Sequence, residues 1–223
     1  MTCTIVSIEG NIGSGKSTIL SNLREKYKDN HRVIFIDEPT AEWDDVRDAS
    51  GKTILAKFYE NPQKYAFPFQ MLAFISRIEI MRKTISKNKD KYKGENLIFV
   101  TERGTHTDKH VFAKMLFDTG QIEDVNYQIY TKWFDAFAND FAVDKIIYIR
   151  TPPEICRERI AKRQREGESV IALEYLQQCH EYHDEMMKNL QGIPQLNIKG
   201  KTDISQSPQI MEEWLWTIDQ FII

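Results

Sequence analysis

The segment Gly10-Asn11-Ile12-Gly13-Ser14-Gly15-Lys16-Ser17 matches the pattern G-x-x-x-x-G-K-[ST]. Glycines at these positions let backbone N–H groups turn inward and cradle phosphate oxygens. Lys16 is spaced to reach the β- and γ-phosphates of a nucleoside triphosphate, and the Ser17 hydroxyl to hold Mg²⁺. Thr18 continues into a helix-like pattern, whose N-terminus would add roughly half a positive charge. Two further segments carry carboxylates at the ends of apolar runs: Asp37-Glu38-Pro39-Thr40 and Thr101-Glu102-Arg103-Gly104. Phosphoryl transfer to an alcohol needs a base for the hydroxyl proton, a metal ligand and a cation for the moving group. Glu38, Glu102 and Arg103 have the side chains for those three roles. Each alone also reads as an ion pair at a strand end.

Two other clusters have alternative readings. Arg157, Arg159, Lys162, Arg163 and Arg165 precede Gly167, and Arg159 and Arg163 share a helix face. A lid that closes over a triphosphate has this form, and so has a surface helix paired to Glu154, Glu158 and Glu166. Trp43, Phe58, Tyr59, Phe67, Phe69, Gln70 and Arg77 form an aromatic-rich stretch, either core or nucleobase pocket. The Gln70 amide can bond a base edge with both of its ends. The histidine pairs His106/His110 and His180/His183 lack the spacing of a zinc site and read as surface or capping residues. The basic run Lys87–Lys93 reads as a solvated helix end, and the N-K-x-D register of guanine-reading proteins fails at Lys91.

The elements that would position these groups follow from hydrophobic pattern. Short apolar runs at 4–8, 32–36, 96–100, 145–149 and, more weakly, 194–198 read as buried strands of a parallel sheet. Helical patterns run over 65–87, 108–118, 122–141, 152–166 and 172–190, and from Ser207-Pro208 to Ile223. Alternating strands and helices predict a five-stranded parallel sheet flanked by helices on both faces, with an arginine-bearing lid at about 159–170. Ligands then sit beyond the carboxyl ends of the strands. A chain of 223 residues reads as one domain over 1–223. A net charge of −3 argues against a general electrostatic grip on nucleic acid or anionic membrane. No apolar run reaches the ~18–20 residues of a membrane span. Three scattered cysteines without a C-x-x-C, and a strand pattern starting near Met1, predict a cytoplasmic protein with no targeting segment.

Taken together, these segments resemble the deoxyribonucleoside kinase family. The markers are Glu9–Thr18, then Glu38-Pro39 with Trp43, Tyr59-Glu60-Asn61-Pro62, Phe69-Gln70 with Arg77, Glu102-Arg103 followed by Asp108 and Phe112, and the arginine lid with Glu168 and Leu173-Glu174-Tyr175-Leu176. The resemblance implies a P-loop kinase that moves the γ-phosphoryl of ATP or another triphosphate to the 5′-hydroxyl of a deoxyribonucleoside, with Mg²⁺. It implies Glu38 as the base, with Glu102 as the alternative, and Arg103 as partner to the hydroxyl and the phosphoryl group. Glu102 with Ser17 would hold the metal. Tyr59 and Glu168 would grip the ribose 3′-hydroxyl, Gln70 the base edge, and Phe112 would stack on the base. Trp43, Leu55, Phe58 and Phe69 would wall the pocket. Arg159, Arg163 and Arg165 correspond to lid arginines, and Asp203 lies near a loop that touches adenine. In this family the Arg77–Asp108 type of pair goes with purine and cytosine substrates, so thymidine is expected to be disfavoured. Relatives are usually homodimers, for which 121–141 and 65–87 are the candidate surfaces. Two departures stand out: Gly104 where the family usually has serine, and Gly167-Glu168 where some relatives have two glutamates. The rival readings are a nucleoside monophosphate kinase of the thymidylate kinase type and an ATPase switch.

Overall fold

Side chains alternate between the two faces of a strand, and the apolar runs of this chain are apolar at both parities. Such strands must be covered on both faces, and the computed structural model shows how. It describes residues 2–163, 168, 171–202 and 207–223. In chain order the elements are β1 (Cys3–Glu9), α1 (Lys16–Lys26), β2 (Val33–Ile36), α2 (Thr40–Asp45), α3 (Ile54–Glu60), α4 (Pro62–Lys91), β3 (Leu97–Glu102), the single turn α5 (Thr105–Thr107), a π-helical segment (Asp108–Ala113), α6 (Lys114–Asp118), α7 (Asp124–Phe137), a 3₁₀ turn (Ala138–Phe141), β4 (Lys145–Arg150), α8 (Pro153–Arg163), α9 (Leu173–Asn189), β5 (Gln195–Lys199) and α10 (Pro208–Ile222).

The five strands are all parallel, in the order β2-β3-β1-β4-β5. Ile5, Phe99, Ile146 and Tyr148 point to one face, where Phe74 and Ile78 of α4, Phe134 of α7 and Met186 of α9 meet them. Val6, Ile8, Val100, Ile147 and Ile149 point to the other, against Ile19, Leu20 and Leu23 of α1 and Ile218 and Ile222 of α10. Each such side chain withdrawn from water contributes about 1.5–3 kcal/mol. The chain leaves β1 toward β2 and leaves β3 toward β4, so the direction of winding reverses between neighbouring β1 and β3. A crevice opens at such a switch point. The register there pairs Ile8 with Glu102, and Thr101 with Ile36 of β2, so three strand ends stop at one level.

The long helix α4 differs from its sequence pattern at both ends and inside. It begins at Pro62, because Asn61 caps it by accepting from the Lys64 N–H and proline at the first position needs no donor. Pro68 removes one internal hydrogen bond, yet the helix runs on to Lys91, held by Ala66, Phe69, Ala73, Phe74, Arg77 and Ile78. The short helices α2 and α3 have no clear sequence period; Trp43, Leu55 and Phe58 fold them onto Phe69 and Ala73 of α4. Among the described residues, no helix is long and apolar enough to cross a membrane.

Candidate active site

The phosphate loop joins β1 to α1 in a conformation that needs its glycines. Gly10, Gly13 and Gly15 have φ of 146°, 75° and 103°, in the range that side-chain-bearing residues rarely adopt. A Cβ on Gly13 would stand 2.6 Å from the Cys156 carbonyl oxygen, so α8 packs directly on the loop. The Asn11 side chain braces the loop: its amide donates to the Leu176 carbonyl at 2.8 Å and its oxygen accepts from the Ile12 N–H. Lys16 folds back to donate to the Asn11 carbonyl at 2.9 Å. Burial, with the Arg103 charge adding to it, lowers the Lys16 ammonium to about 8. Ser17 Oγ lies 3.0 Å from Glu102 Oε1, and Lys16 Nζ lies 4.0 Å from the same oxygen.

Beside the loop opens a cavity of about 680 Å³, the size of a small-molecule site. Glu38, Glu102 and Arg103 face it from the strand ends, Arg77 from α4 and Asp108 from the start of the π-helical segment. Glu38 accepts from Arg103 at 2.6 Å and from Arg77 at 3.4 Å. Burial alone would raise the Glu38 carboxyl; the charges of Arg103, Arg77 and Lys16 overrule it and hold it at about 2. Arg77 bonds Asp108 through Nε at 2.8 Å and through its terminal nitrogen at 3.2 Å, and donates to the Glu102 carbonyl at 2.9 Å. Both members of that pair are buried, at 1% and 2% exposure, so each needs the other to stay charged.

The cavity is walled by Trp43, Leu55, Phe58, Tyr59, Phe69 and Phe112. Trp43 meets Phe69 edge-on at 5.4 Å, Phe58 stacks on Phe69 at 5.1 Å, and the Trp43 indole is fixed by donation to Ser76 Oγ at 2.9 Å. These aromatics are core and pocket wall at once: one side packs in a cluster, the other faces the opening. Gln70 is 2% exposed, and its Oε1 has no hydrogen-bond partner among the described residues. A buried acceptor left open costs about 1–3 kcal/mol, which a ligand donor would recover.

The arginine helix faces inward. Arg159 donates to three carbonyls, Ser14 at 3.0 Å, Gly200 at 3.0 Å and Thr202 at 2.9 Å, tying the phosphate loop to the segment after β5. Arg163 grips Glu168 with two parallel bonds, at 2.7 and 2.5 Å. Pairing to Glu154 and Glu158 on the same helix is not what these two arginines do. Arg165 and Asp203 lie outside the described residues. The glycine loop, the strand-end carboxylates and the aromatic slot therefore share one opening, which Arg159, Arg163 and Glu168 border.

Sequence alone assigns no individual role to several further groups at or near this opening. Tyr175, Asp37, Thr40 and Lys162 line it. His183, read as a surface or capping residue, is 0% exposed; its Nδ1 lies 2.6 Å from the Cys179 carbonyl, and burial lowers it to about 3, so it is neutral. An amphipathic α9 with buried Cys179, His183, Met186 and Met187 at helical spacing was the available clue.

For a metal, the donor set is two hard oxygens, Ser17 Oγ and Glu102 Oε1. Mg²⁺ is commonly bound through one or two protein oxygens and completed by phosphates and water, so the residues fit it. Among the described residues no group of three or more His, Cys, Asp or Glu forms a self-sufficient metal cage.

The geometry joins the glycine loop to an aromatic slot in one opening, and comparison with known proteins gives the family. The sequence model of the family described as deoxynucleoside kinase matches residues 6–223. Deoxycytidine kinase 2 of Gallus gallus is 34% identical, covering 94% of this chain and 86% of its own. A probable deoxycytidine kinase of fowlpox virus is 33% identical over 97% of this chain and 87% of its own. A mitochondrial deoxyguanosine kinase of Xenopus laevis is 27% identical over 93% and 85%. This chain belongs to the deoxynucleoside kinase family.

Proposed function

We propose that the chain phosphorylates the 5′-hydroxyl of a purine deoxyribonucleoside or deoxycytidine in preference to thymidine, with ATP or another triphosphate as donor and Mg²⁺ as cofactor. The observation that carries this reading is the open Gln70 amide oxygen, buried in an aromatic slot continuous with the phosphate loop. The acceptor sugar sits between Tyr59 and Glu168, with its 5′-hydroxyl against Glu38 and Arg103. The Glu38 carboxylate takes the hydroxyl proton. At about 2 it is a weak base, so the proton moves as the new O–P bond forms and the hydroxyl becomes acidic. Arg103 holds both oxygens in line and Lys16 neutralises the donor tail. When bound through Ser17 and Glu102, Mg²⁺ would spread the charge of the β- and γ-oxygens. Glu102 is the weaker candidate for the base, because its carboxylate faces Ser17 and Lys16 on the donor side. The Arg77–Asp108 pair beside Ala73 offers polar partners where a thymine methyl needs apolar space.

The working unit is a homodimer. Val125, Ile129 and Trp133 recur along one exposed stripe of α7, and Ile75 of α4 is also exposed. Free cysteines at 3, 156 and 179 suit a reducing compartment such as the cytoplasm.

The deciding experiment measures kcat/KM for deoxyadenosine, deoxyguanosine, deoxycytidine, thymidine and their 5′-monophosphates. Turnover of one of the first three nucleosides, with monophosphates inert, is expected. A thymidine preference sinks the base assignment, and turnover of monophosphates alone sinks the acceptor assignment.

A further inference from the structure

Arg103 is the one non-glycine residue with positive φ among the described residues, at 61°. A left-handed backbone is unfavourable for an ordinary residue and persists only where neighbours over-determine it. What holds this turn comes largely from the strand that leads into the phosphate loop. Arg103 N–H donates to the Ile8 carbonyl at 3.0 Å. The next residue on β1, Glu9, is 1% exposed; its carboxylate accepts from the Gly104 N–H at 2.8 Å and from the Thr107 hydroxyl. On the other side, Thr101 Oγ1 donates to the Arg103 carbonyl at 2.9 Å. The guanidinium that emerges from this turn reaches Glu38 at 2.6 Å and the Gly10 carbonyl at 3.4 Å.

Glycine at 104 belongs to the same device. A Cβ there would stand 3.0 Å from Val143 Cγ2, 3.3 Å from Glu9 Oε1 and 3.3 Å from Ser7 Cβ, tighter than side chains normally pack. Its absence lets the carboxylate close on the amide.

We infer that Glu9 is the positioning residue for Arg103: by clamping the Gly104 N–H and the Thr107 hydroxyl it fixes the turn that aims the guanidinium at Glu38 and the acceptor hydroxyl. Glu9 adjoins Gly10, so one residue sets the spacing between the donor loop and the acceptor-side cation. The inference rests on the proposed role of Arg103. A displacement of about 1 Å at such a group can cost on the order of a hundredfold in rate.

The test uses Thr107→Val, which removes the hydroxyl at nearly constant volume, Thr107→Ser, which restores it, and Glu9→Gln, which keeps an acceptor for the Gly104 N–H but no charge. Each is made in the wild type and in Arg103→Lys. Thr107→Val and Glu9→Gln are expected to lower kcat about tenfold. Nucleoside affinity, read by tryptophan quenching, should stay within threefold, and Thr107→Ser should return kcat to within twofold of wild type. In Arg103→Lys the same changes should cost less than twofold, because the residue they act through is gone. Unchanged kcat in both Thr107→Val and Glu9→Gln, or equal losses with and without Arg103, overturns the inference. An Arg103→Lys enzyme with full kcat would instead overturn the proposed role of Arg103, and the two failures are thereby told apart.

Discussion

Replacing Glu38 by glutamine removes one charge from a cluster that also holds Arg77, Arg103, Lys16 and Asp108. Removing a partner from a buried ion pair costs about 3–5 kcal/mol when nothing replaces it. The glutamine oxygen can still accept from Arg103, and Arg77 keeps its two bonds to Asp108, so the loss should be about 2 kcal/mol. For a chain of this size each kcal/mol is worth about 2–4 °C, which predicts a Tm lower by about 4–8 °C. The rate effect is separate. A lost general base costs about 10²–10⁴ in kcat, while nucleoside affinity, carried by the aromatic slot and Gln70, should change by less than about fivefold. ADP formation in a coupled assay gives kcat, and tryptophan quenching gives affinity. pH adds a second check. The native Glu38 carboxyl sits at about 2 against an ordinary value of 4.5, so its stabilisation is complete above pH 4.5 and is lost as pH falls toward 2. The stability gap between wild type and Glu38→Gln should therefore close over that window, and Glu38 should give no acid limb in kcat/KM above about pH 3. A variant that retains a kcat within tenfold of wild type refutes the base role and moves it to Glu102.

His183 should make the protein acid-labile: its native value near 3 against 6.5 when unfolded means the unfolded chain takes up the extra proton, so stability is full above pH 6.5 and falls by about 2 kcal/mol by pH 5. Urea unfolding at pH 7.5 and 5 should show that loss in wild type and not in His183→Gln; equal slopes would reject it. Asp108→Ala leaves the Arg77 guanidinium buried with Glu38 at 3.4 Å as its one remaining ion-pair partner among the described residues, and should cost about 3 kcal/mol in denaturant unfolding; a change under about 1 kcal/mol contradicts the buried-pair reading. Gly13→Ala drives a Cβ to 2.6 Å from the Cys156 carbonyl at φ 75°, and should raise the donor KM at least about tenfold with nucleoside affinity unchanged, whereas an unaltered donor KM would mean the loop is not the cradle.

Much of the fold was legible because its signals are local. Apolar runs at both parities announce a doubly covered parallel sheet, and Gly10–Ser17 between a strand and a helix announces the phosphate loop. The strand-end groups Glu38, Glu102 and Arg103 followed from topology, since strands of one parallel sheet end at one level. Helices α2 and α3 were not legible, because they are too short to show a period and owe their form to Trp43 and Phe58 packing on α4. The break between the helical patterns 108–118 and 122–141 is legible, but not the π-helical stretch Asp108–Ala113, which no residue type marks. Glu9 looked like an ordinary residue of a glycine motif, and its two bonds span about a hundred residues of sequence. For Arg159 the sequence leaves a lid cation and a surface pair both open, and its three carbonyl partners lie in two loops that meet only in the folded chain.

The lowered ammonium of Lys16 has a thermodynamic signature of its own. Near pH 8 the side chain is charged in only about half of the free molecules. An arriving triphosphate would draw it back to the fully charged form, so capture of the anion carries a hydrogen ion in with it, about half an equivalent at that pH. The heat released on mixing would then differ between buffers of unlike ionisation enthalpy, and the apparent affinity would weaken as alkalinity rises. On that reading the loop would sense the acidity of its surroundings through the same atom that meets the nucleotide.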